Sequence, residues 1–357
     1  MLILIQSFFN HCRYPRGAFQ ILKKVLLLVG ILIFLAVCAG GVIYIELRMY
    51  ADMPAEANNT DQVVINVFPG QSLKATADLL YQKQIIKNSL KLVIIARAKG
   101  FDKRLKAGEY LLSAAMTPRE ILAIMVKGEV KLHKLTVPEG YNIDQIAELV
   151  PQAGFGTQEA FRKAATDATL ARKLGLDAET LEGYLFPDTY FFPKDVTVEK
   201  IISIMVQRFW SIFKPEWKDR AKSLGFSVHQ VVTLASIIEK ETGAAFERPL
   251  ISSVFHNRLR KKMRLESDPT VIYGIKNFDG NLTRKHLKTK TPFNTYKIRG
   301  LPVGPIANPG RASLEATLFP DKTAYLYFVS KKDTTHHFST NLKEHNRAVR
   351  KYQLGRK

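Results

Sequence analysis

Cysteine is nearly absent from this chain of 357 residues: Cys12 and Cys38 are the only two, and none follows position 38. Disulfides, thiolate metal sites and cysteine nucleophiles are therefore excluded from everything downstream. Other signatures are missing as well. There is no glycine-rich phosphate loop of the Walker or dinucleotide type, no GxSxG elbow and no HExxH pair. His336, His337 and His345 with Glu344 do not make up for the lack, because adjacent histidines on a strand point to opposite faces. No metal site is expected. Acidic residues are scarce beside basic ones, 32 against 53, which leaves a formal charge of +21. That balance favours an anionic surface, whether nucleic acid, membrane lipid or a carboxylate-bearing polymer. The 46% hydrophobic content excludes a disordered chain, and the length allows two modest domains.

Charge disappears altogether from Val25 to Ile45, "VLLLVGILIFLAVCAGGVIYI". About twenty such residues cross a bilayer core as one helix. Arg13, Arg16, Lys23 and Lys24 precede the run, while Glu46, Arg48, Asp52 and Glu56 mix after it, so the N-terminus is expected in the cytoplasm and the rest outside it. A cleaved signal peptide competes, since "AVCAGG" offers small residues, but the apolar run exceeds the usual signal core of about 7–15 residues. A lipoprotein role for Cys38 is weaker still, because apolar residues continue past it. The preceding "MLILIQSFFN" reads either as an upstream start or as a short amphipathic segment on the cytoplasmic face.

Ala51 to Asp61, "ADMPAEANNTD", lacks periodicity and reads as a tether. Then "VVINVFPG" reads as a strand closed by a turn, Ser72 as a cap, and helices follow through Leu80 and from Ser89 to Lys99, with "AGEYLL" as a closing strand. The stretch "FPGQSLKATADLL" is echoed by "VPEGYNIDQIAELV", each a strand end, turn, polar cap and amphipathic helix. Helices are expected over 158–174, 198–212, 228–242 and 248–261, with "EGYLFPDTYFFPKD" as an aromatic loop. "AYLYFVS" and "HHFSTN" read as neighbouring strands, the first of them buried. The fold class is mixed α+β.

In "LASIIEKETG", Leu234 to Gly243, two carboxylates stand one residue apart. On a helix they point to nearly opposite sides and cannot share a proton. Glu241 stacks on Ile238, Ile237 and Leu234, whereas Glu239 stacks on Ser236, Ala235 and Val232. A carboxyl on the more apolar face has a raised pKa and can act as a general acid near neutral pH. Two readings of Glu241 stay open, that acid or a plain helix end in water, while Glu239 reads as solvated or supporting. The basic run "HNRLRKKMR" could touch phosphates, but an exported domain rarely meets nucleic acid, so a solvated helix face is preferred.

The runs "EGYLFPDTY", "LASIIEKET", "FHNRLRKKMRLESDPTVIYG", "FNTYKIRGLPVGPIANPG" and "YLYFV", in this order after one apolar helix, resemble the endolytic murein transglycosylases of the MltG (YceG-like) family. The resemblance implies a cytoplasmic segment (1–24), a transmembrane helix (25–45), a linker (46–61), a LysM-like peptidoglycan-binding βααβ subdomain (62–130) and a catalytic domain (131–357). It implies a bacterial inner-membrane protein with a periplasmic catalytic domain that cuts the MurNAc-GlcNAc bond of nascent glycan strands. The products carry 1,6-anhydro-MurNAc ends, and elongation stops. Peptidoglycan strands are the implied partner, with synthases as candidates beside them, and no cofactor is needed. The catalytic acid would be Glu241, with Thr242 beside it orienting the carboxyl. Glu239, Asn257, Asp268, Glu182, Asn294 and Tyr296 lie in the shared motifs as supporting or sugar-binding candidates. The chain departs from the family at Phe293, where a tyrosine is usual, which puts any hydrogen bond from that phenol in question. Two rivals stand beside this reading: a hydrolytic muramidase with Asp268 or Glu182 as second carboxylate, and a non-catalytic scaffold that binds glycan through residues 63–113.

Overall fold

The computed structural model describes residues 16–241 and 244–355, so the N-terminal decapeptide and Thr242 lie outside the described residues. Two compact units divide between Lys131 and Leu132. Helices and short antiparallel ribbons make up both, an α+β architecture.

The first unit begins with α1, Arg16–Ala51, a single helix of 36 residues. It is long and apolar enough to cross a membrane: its most apolar stretch of 18 residues has a mean hydropathy of 2.9 and is not buried. After it come β1 (Val63–Val67), α2 (Leu73–Gln82), α3 (Ser89–Ala98), β2 (Gly108–Leu112) and α4 (Pro118–Lys127). β1 and β2 pair antiparallel, Val63 opposite Leu112 and Val67 opposite Gly108. Ser72 and Asn88 accept hydrogen bonds from the N–H groups of Ala75 and Lys91, capping α2 and α3 at the orphan donors of their first turns. The strand-helix-helix-strand order matches expectation, and α4 adds a further helix opened by a capping box of Thr117 and Glu120.

The expected tether differs. Helix α1 continues through Glu46 to Ala51, and Ala51 is buried among Ile65, Leu92 and Met125, with Leu47 and Tyr50 packed alongside. The Tyr50 hydroxyl donates to the Asn88 carbonyl at 2.6 Å. Arg119 grips Asp52 through Nε and Nη2, and the backbone of 56–59 bonds to Ala114 and Ala115. Lack of periodicity signalled irregular backbone here, and irregular backbone can still be docked.

The second unit runs through β3 (Leu132–Thr136), α5 (Ile143–Gln152), α6 (Gln158–Ala165), α7 (Ala168–Lys173), β4 (Thr189–Pro193), α8 (Val198–Ile212), α9 (Pro215–Ser223) and α10 (Val228–Glu241). A 3-10 turn (Ala245–Glu247) leads to α11 (Arg248–Arg260), α12 (Asp268–Tyr273), α13 (Arg284–Lys288), α14 (Arg311–Leu318), β5 (Tyr327–Ser330), β6 (His336–Ser339) and α15 (Leu342–Tyr352). The expected helix over 158–174 is broken where Asp167 caps a new start at α7. The aromatic loop contains a strand, β4, which pairs with β3 from Thr136–Thr189 to Leu132–Pro193. β5, expected to be buried, is only half-buried along its whole length and pairs with β6 in a two-stranded ribbon. The motif echo is real in backbone terms: Gly70 at φ 78° and Gly140 at φ 76° make equivalent turns before capped helices.

Helix α10 lies between two apolar clusters. Val231, Val232 and Ala235 enter the larger one with Tyr184, Leu185 and Phe209. Leu234, Ile237 and Ile238 enter a smaller one with Ile251, Phe255, Leu265 and Ile306. A helix buried on both flanks can hold its last residue firmly.

Candidate active site

Burial on both flanks changes the reading of the two glutamates. Glu239 is not solvated, since only 6% of its side chain is exposed. It accepts from Arg248 Nη2 at 3.2 Å and from the Gly310 N–H at 2.9 Å, so its charge is matched inside the protein. Glu139 shares the same arginine at 4.0 Å, and its carboxyl is pushed up by burial and then by the charge of Glu239. Glu239 thus ties α10 to α11 and to the start of α14.

Glu241 is half-buried and forms no ion pair among the described residues. Its Oε1 accepts a hydrogen bond from Ser267 Oγ at 2.5 Å. Its pKa is pushed up to about 7, chiefly by burial and further by the charge of Asp268, against the pull of the Ser267 hydroxyl and the Arg258 cation. A group so placed holds a proton at neutral pH and can release it nearby.

Asp268 opens α12 next to Ser267 and is exposed. It accepts from the Tyr296 hydroxyl at 2.7 Å, and desolvation together with that bond raises the phenol above its ordinary range. Glu241, Asp268 and Tyr296 therefore come together as three of the sequence candidates, with Ser267 joining them.

Ser267 was not among the sequence candidates, and by type it sits at the N-cap position of α12. It occupies that position yet makes no side-chain cap; the hydroxyl is turned to Glu241 instead. Its backbone is fixed from both sides. The Ser267 N–H donates to Thr295 Oγ1 at 3.0 Å, the Ser267 carbonyl accepts from Thr270 Oγ1 at 2.6 Å, and the two threonine hydroxyls meet at 2.8 Å. Arg258 holds the preceding loop through the Leu265 carbonyl and ties it to the approach to β5 through the Leu326 carbonyl, with its guanidinium 5.1 Å over the Tyr327 ring. Its side chain is 9% exposed, so "HNRLRKKMR" is not uniformly a solvated face.

The remaining candidates hold backbone or core. Asn294 is fully buried and its amide donates to the carbonyls of His286, Leu287 and Thr289, closing the end of α13. Asn257 donates to Thr323 and Tyr325 carbonyls at 2.9 and 2.8 Å, so its amide is spent on the approach to β5. Glu182, only 3% exposed, accepts from the Ile143 N–H at 3.1 Å, the Tyr273 hydroxyl at 3.0 Å and Asn308 Nδ2 at 2.9 Å. Burial pushes it up to about 7, but three fixed donors surround it, which suits a core junction better than a water-activating base. Thr242 lies outside the described residues.

Among the described residues no three His, Cys, Asp or Glu side chains converge as a metal would require. His336 gives its ring Nδ1 and its N–H to Glu247, and His337 tilts over Tyr352. At the far end of α12, Tyr273 and Phe293 meet edge to face, with centroids 4.8 Å apart. They border a cavity of about 650 Å³ that Arg172, Asp177 and His229 also line. Glu241 does not line it. The length of α12, roughly 8 Å from Asp268 to Tyr273 by the rise per residue, separates that cavity from Ser267 and Asp268.

The model of the YceG-like family matches residues 65–351. An endolytic murein transglycosylase of Bacillus subtilis is 36% identical over 315 residues, covering 84% of this chain and 87% of the relative. A protein of the same name from Streptococcus pneumoniae is 30% identical; the alignment covers 90% of this chain but 64% of that longer relative. Among solved structures, a YceG-like protein of Listeria monocytogenes is similar at 36% identity and a TM-score of 0.56, covering 80% of this chain and 98% of that one.

Proposed function

The chain belongs to the YceG-like family, and on that premise we propose that it is an endolytic lytic transglycosylase of peptidoglycan, anchored in the inner membrane by α1 with the rest of the chain periplasmic. The observation that carries the reading is Glu241, a half-buried carboxyl at about pKa 7, oriented by Ser267 at the end of a helix wedged between two cores.

The chemistry needs one acid that acts twice. Protonated Glu241 gives its proton to the glycosidic oxygen as the MurNAc C1–O bond breaks and positive charge develops at the sugar ring. The resulting carboxylate then takes the proton from the 6-hydroxyl of the same MurNAc, whose oxygen bonds to C1. The proton returns to Glu241, the leaving strand keeps a GlcNAc hydroxyl, and the new end is a 1,6-anhydro sugar. No water is consumed. Asp268 and Tyr296, at the rim, are suited to sugar hydroxyls and to the developing cation, and the cavity at Tyr273 and Phe293 would extend the groove along the strand. Cutting within nascent strands would end their elongation. The first unit, with its βααβ order, would hold glycan in the manner of a LysM module.

Mass spectrometry of fragments released from defined nascent glycan tests the reaction. Anhydro ends are lighter than reducing ends by one water, and they are the expected product; reducing ends alone would make the protein a hydrolase with Asp268 as the second carboxylate, and no release at all would leave a glycan-binding scaffold.

The pH dependence has a defined sign. Glu241 must be protonated to act, so kcat/KM should fall about tenfold per pH unit above roughly 7. Ser267 donates to the carboxylate and so favours its charged form. Ser267→Ala should therefore shift the alkaline limb to higher pH while lowering the maximum. A limb that stays in place would remove Ser267 from the acid's environment.

A further inference from the structure

Because α1 is continuous with the core of the first unit, the height of that unit above the apolar span is fixed. Helical rise puts Arg48 roughly 5 Å and Ala51 roughly 9 Å beyond Ile45. The headgroup layer on each side of the hydrocarbon is about 5–7 Å deep. A notch of about 340 Å³ opens at this level between α1, α3 and α4.

The notch has an amphipathic wall. Tyr44, Leu47, Ile94 and Ile95 line its apolar side, and Arg48, Lys99 and Arg119 line its charged side. Asp52 is the acid among them, and its pKa is held low by Arg119 first, then also by Arg48 and Lys99, so the three cations converge on one place. Arg119 is engaged by Asp52, which leaves Arg48 and Lys99 without an ion pair among the described residues. Leu90 lies one helical turn before the lining residue Ile94 on α3, and the two are 67% and 41% exposed. Apolar side chains presented beside cations at the end of a span match a lipid, which joins a phosphate to hydrocarbon.

We propose that this notch binds one anionic phospholipid, with the headgroup phosphate on Arg48 and Lys99 and an acyl chain along Tyr44, Leu47 and Ile94. The proposal rests on α1 being a membrane span. It gives the excess positive charge a local role that glycan cleavage does not require.

Native mass spectrometry of the full chain from detergent micelles, with equimolar phosphatidylglycerol and phosphatidylcholine of identical chains, measures the preference. Retention of phosphatidylglycerol should exceed that of phosphatidylcholine roughly tenfold, since each cation near a headgroup contributes on the order of a few-fold. Arg48→Gln with Lys99→Gln should bring the ratio near one, whereas the charge-matched Lys163→Gln with Lys173→Gln in the second unit should not. Soluble glycerol phosphate should not displace the lipid; displacement would mean a phosphate site without a lipid. Equal retention of both lipids, or a preference surviving in the Arg48/Lys99 pair, overturns the proposal. Alkaline carbonate extraction of membranes separates the two levels: a chain that stays in the membrane without lipid preference keeps its span and loses the notch, and a chain that washes off loses both.

Discussion

Glu241→Gln is expected to stop the release of anhydro-ended fragments, with a rate loss of about 10²–10⁴ if the general-acid step alone is removed. Glutamine keeps the size of the side chain and an oxygen for the Ser267 hydroxyl, so the fold should survive. The stability effect has its own sign. In the folded chain Glu241 holds its proton up to about pH 7, above the ordinary carboxyl value of 4.5. Its contribution to stability is therefore complete below the ordinary value and is lost as pH rises through about 7. Glutamine suffers no such loss, so at pH 8 the variant should melt no lower than the parent. Cleavage retained by a well-folded variant would move the acid to another residue, and Asp268 would be the first to test.

The largest structural effect is expected at Gly183, next to Glu182. Its φ is 87°, a conformation that side-chain-bearing residues rarely adopt, and a Cβ there would stand 2.6 Å from both Val232 Cγ1 and Pro305 Cγ. Val232 belongs to α10 and is fully buried, so it cannot yield without disturbing the helix that ends in Glu241. Gly183→Ala should cost about 3 kcal/mol or more from overpacking and backbone strain together, lowering the melting temperature of the second unit by roughly 10 °C. Gly175 is the control: its φ is 78° with nothing within 4 Å of the added carbon, so Gly175→Ala should cost only about 1 kcal/mol of strain. Equal losses at the two positions, measured by thermal unfolding, would refute the steric argument.

The periodic parts of the fold were legible because periodicity is a local property. The helix over 198–212 needed only its apolar spacing, and the structure adds Thr197 as its cap. What could not be read locally were pairings between distant segments. β4 is a strand because β3 is there to pair with it, and nothing in "TYFFP" alone distinguishes that from an aromatic loop. The same holds for Ala51, whose burial depends on residues of α3 and α4.

Within the candidate site, helical phase separated Glu239 from Glu241 correctly but for an incomplete reason. Both sit on buried sides of α10, and they differ in what meets them. Arg248 and the Gly310 N–H reach one, while Ser267 and the exposed Asp268 flank the other. Shared motifs also drew Asn257, Asn294 and Glu182 into the list of candidates, and all three are spent on backbone or core. Residue type cannot tell a side chain that binds sugar from one that closes a loop, because both uses call for the same donors and acceptors.

The docking of Leu47, Tyr50 and Ala51 into the first unit bears on how the protein is made. Synthesis delivers α1 first, and the helices that cover its last turn leave the ribosome only later. Until then that turn has no lid, and the unit cannot close without it. A shortened gene that dropped the helix to obtain a water-soluble protein would thus remove part of the first unit's interior along with the anchor, and trimming after Ala51 would cut deeper than trimming before Glu46.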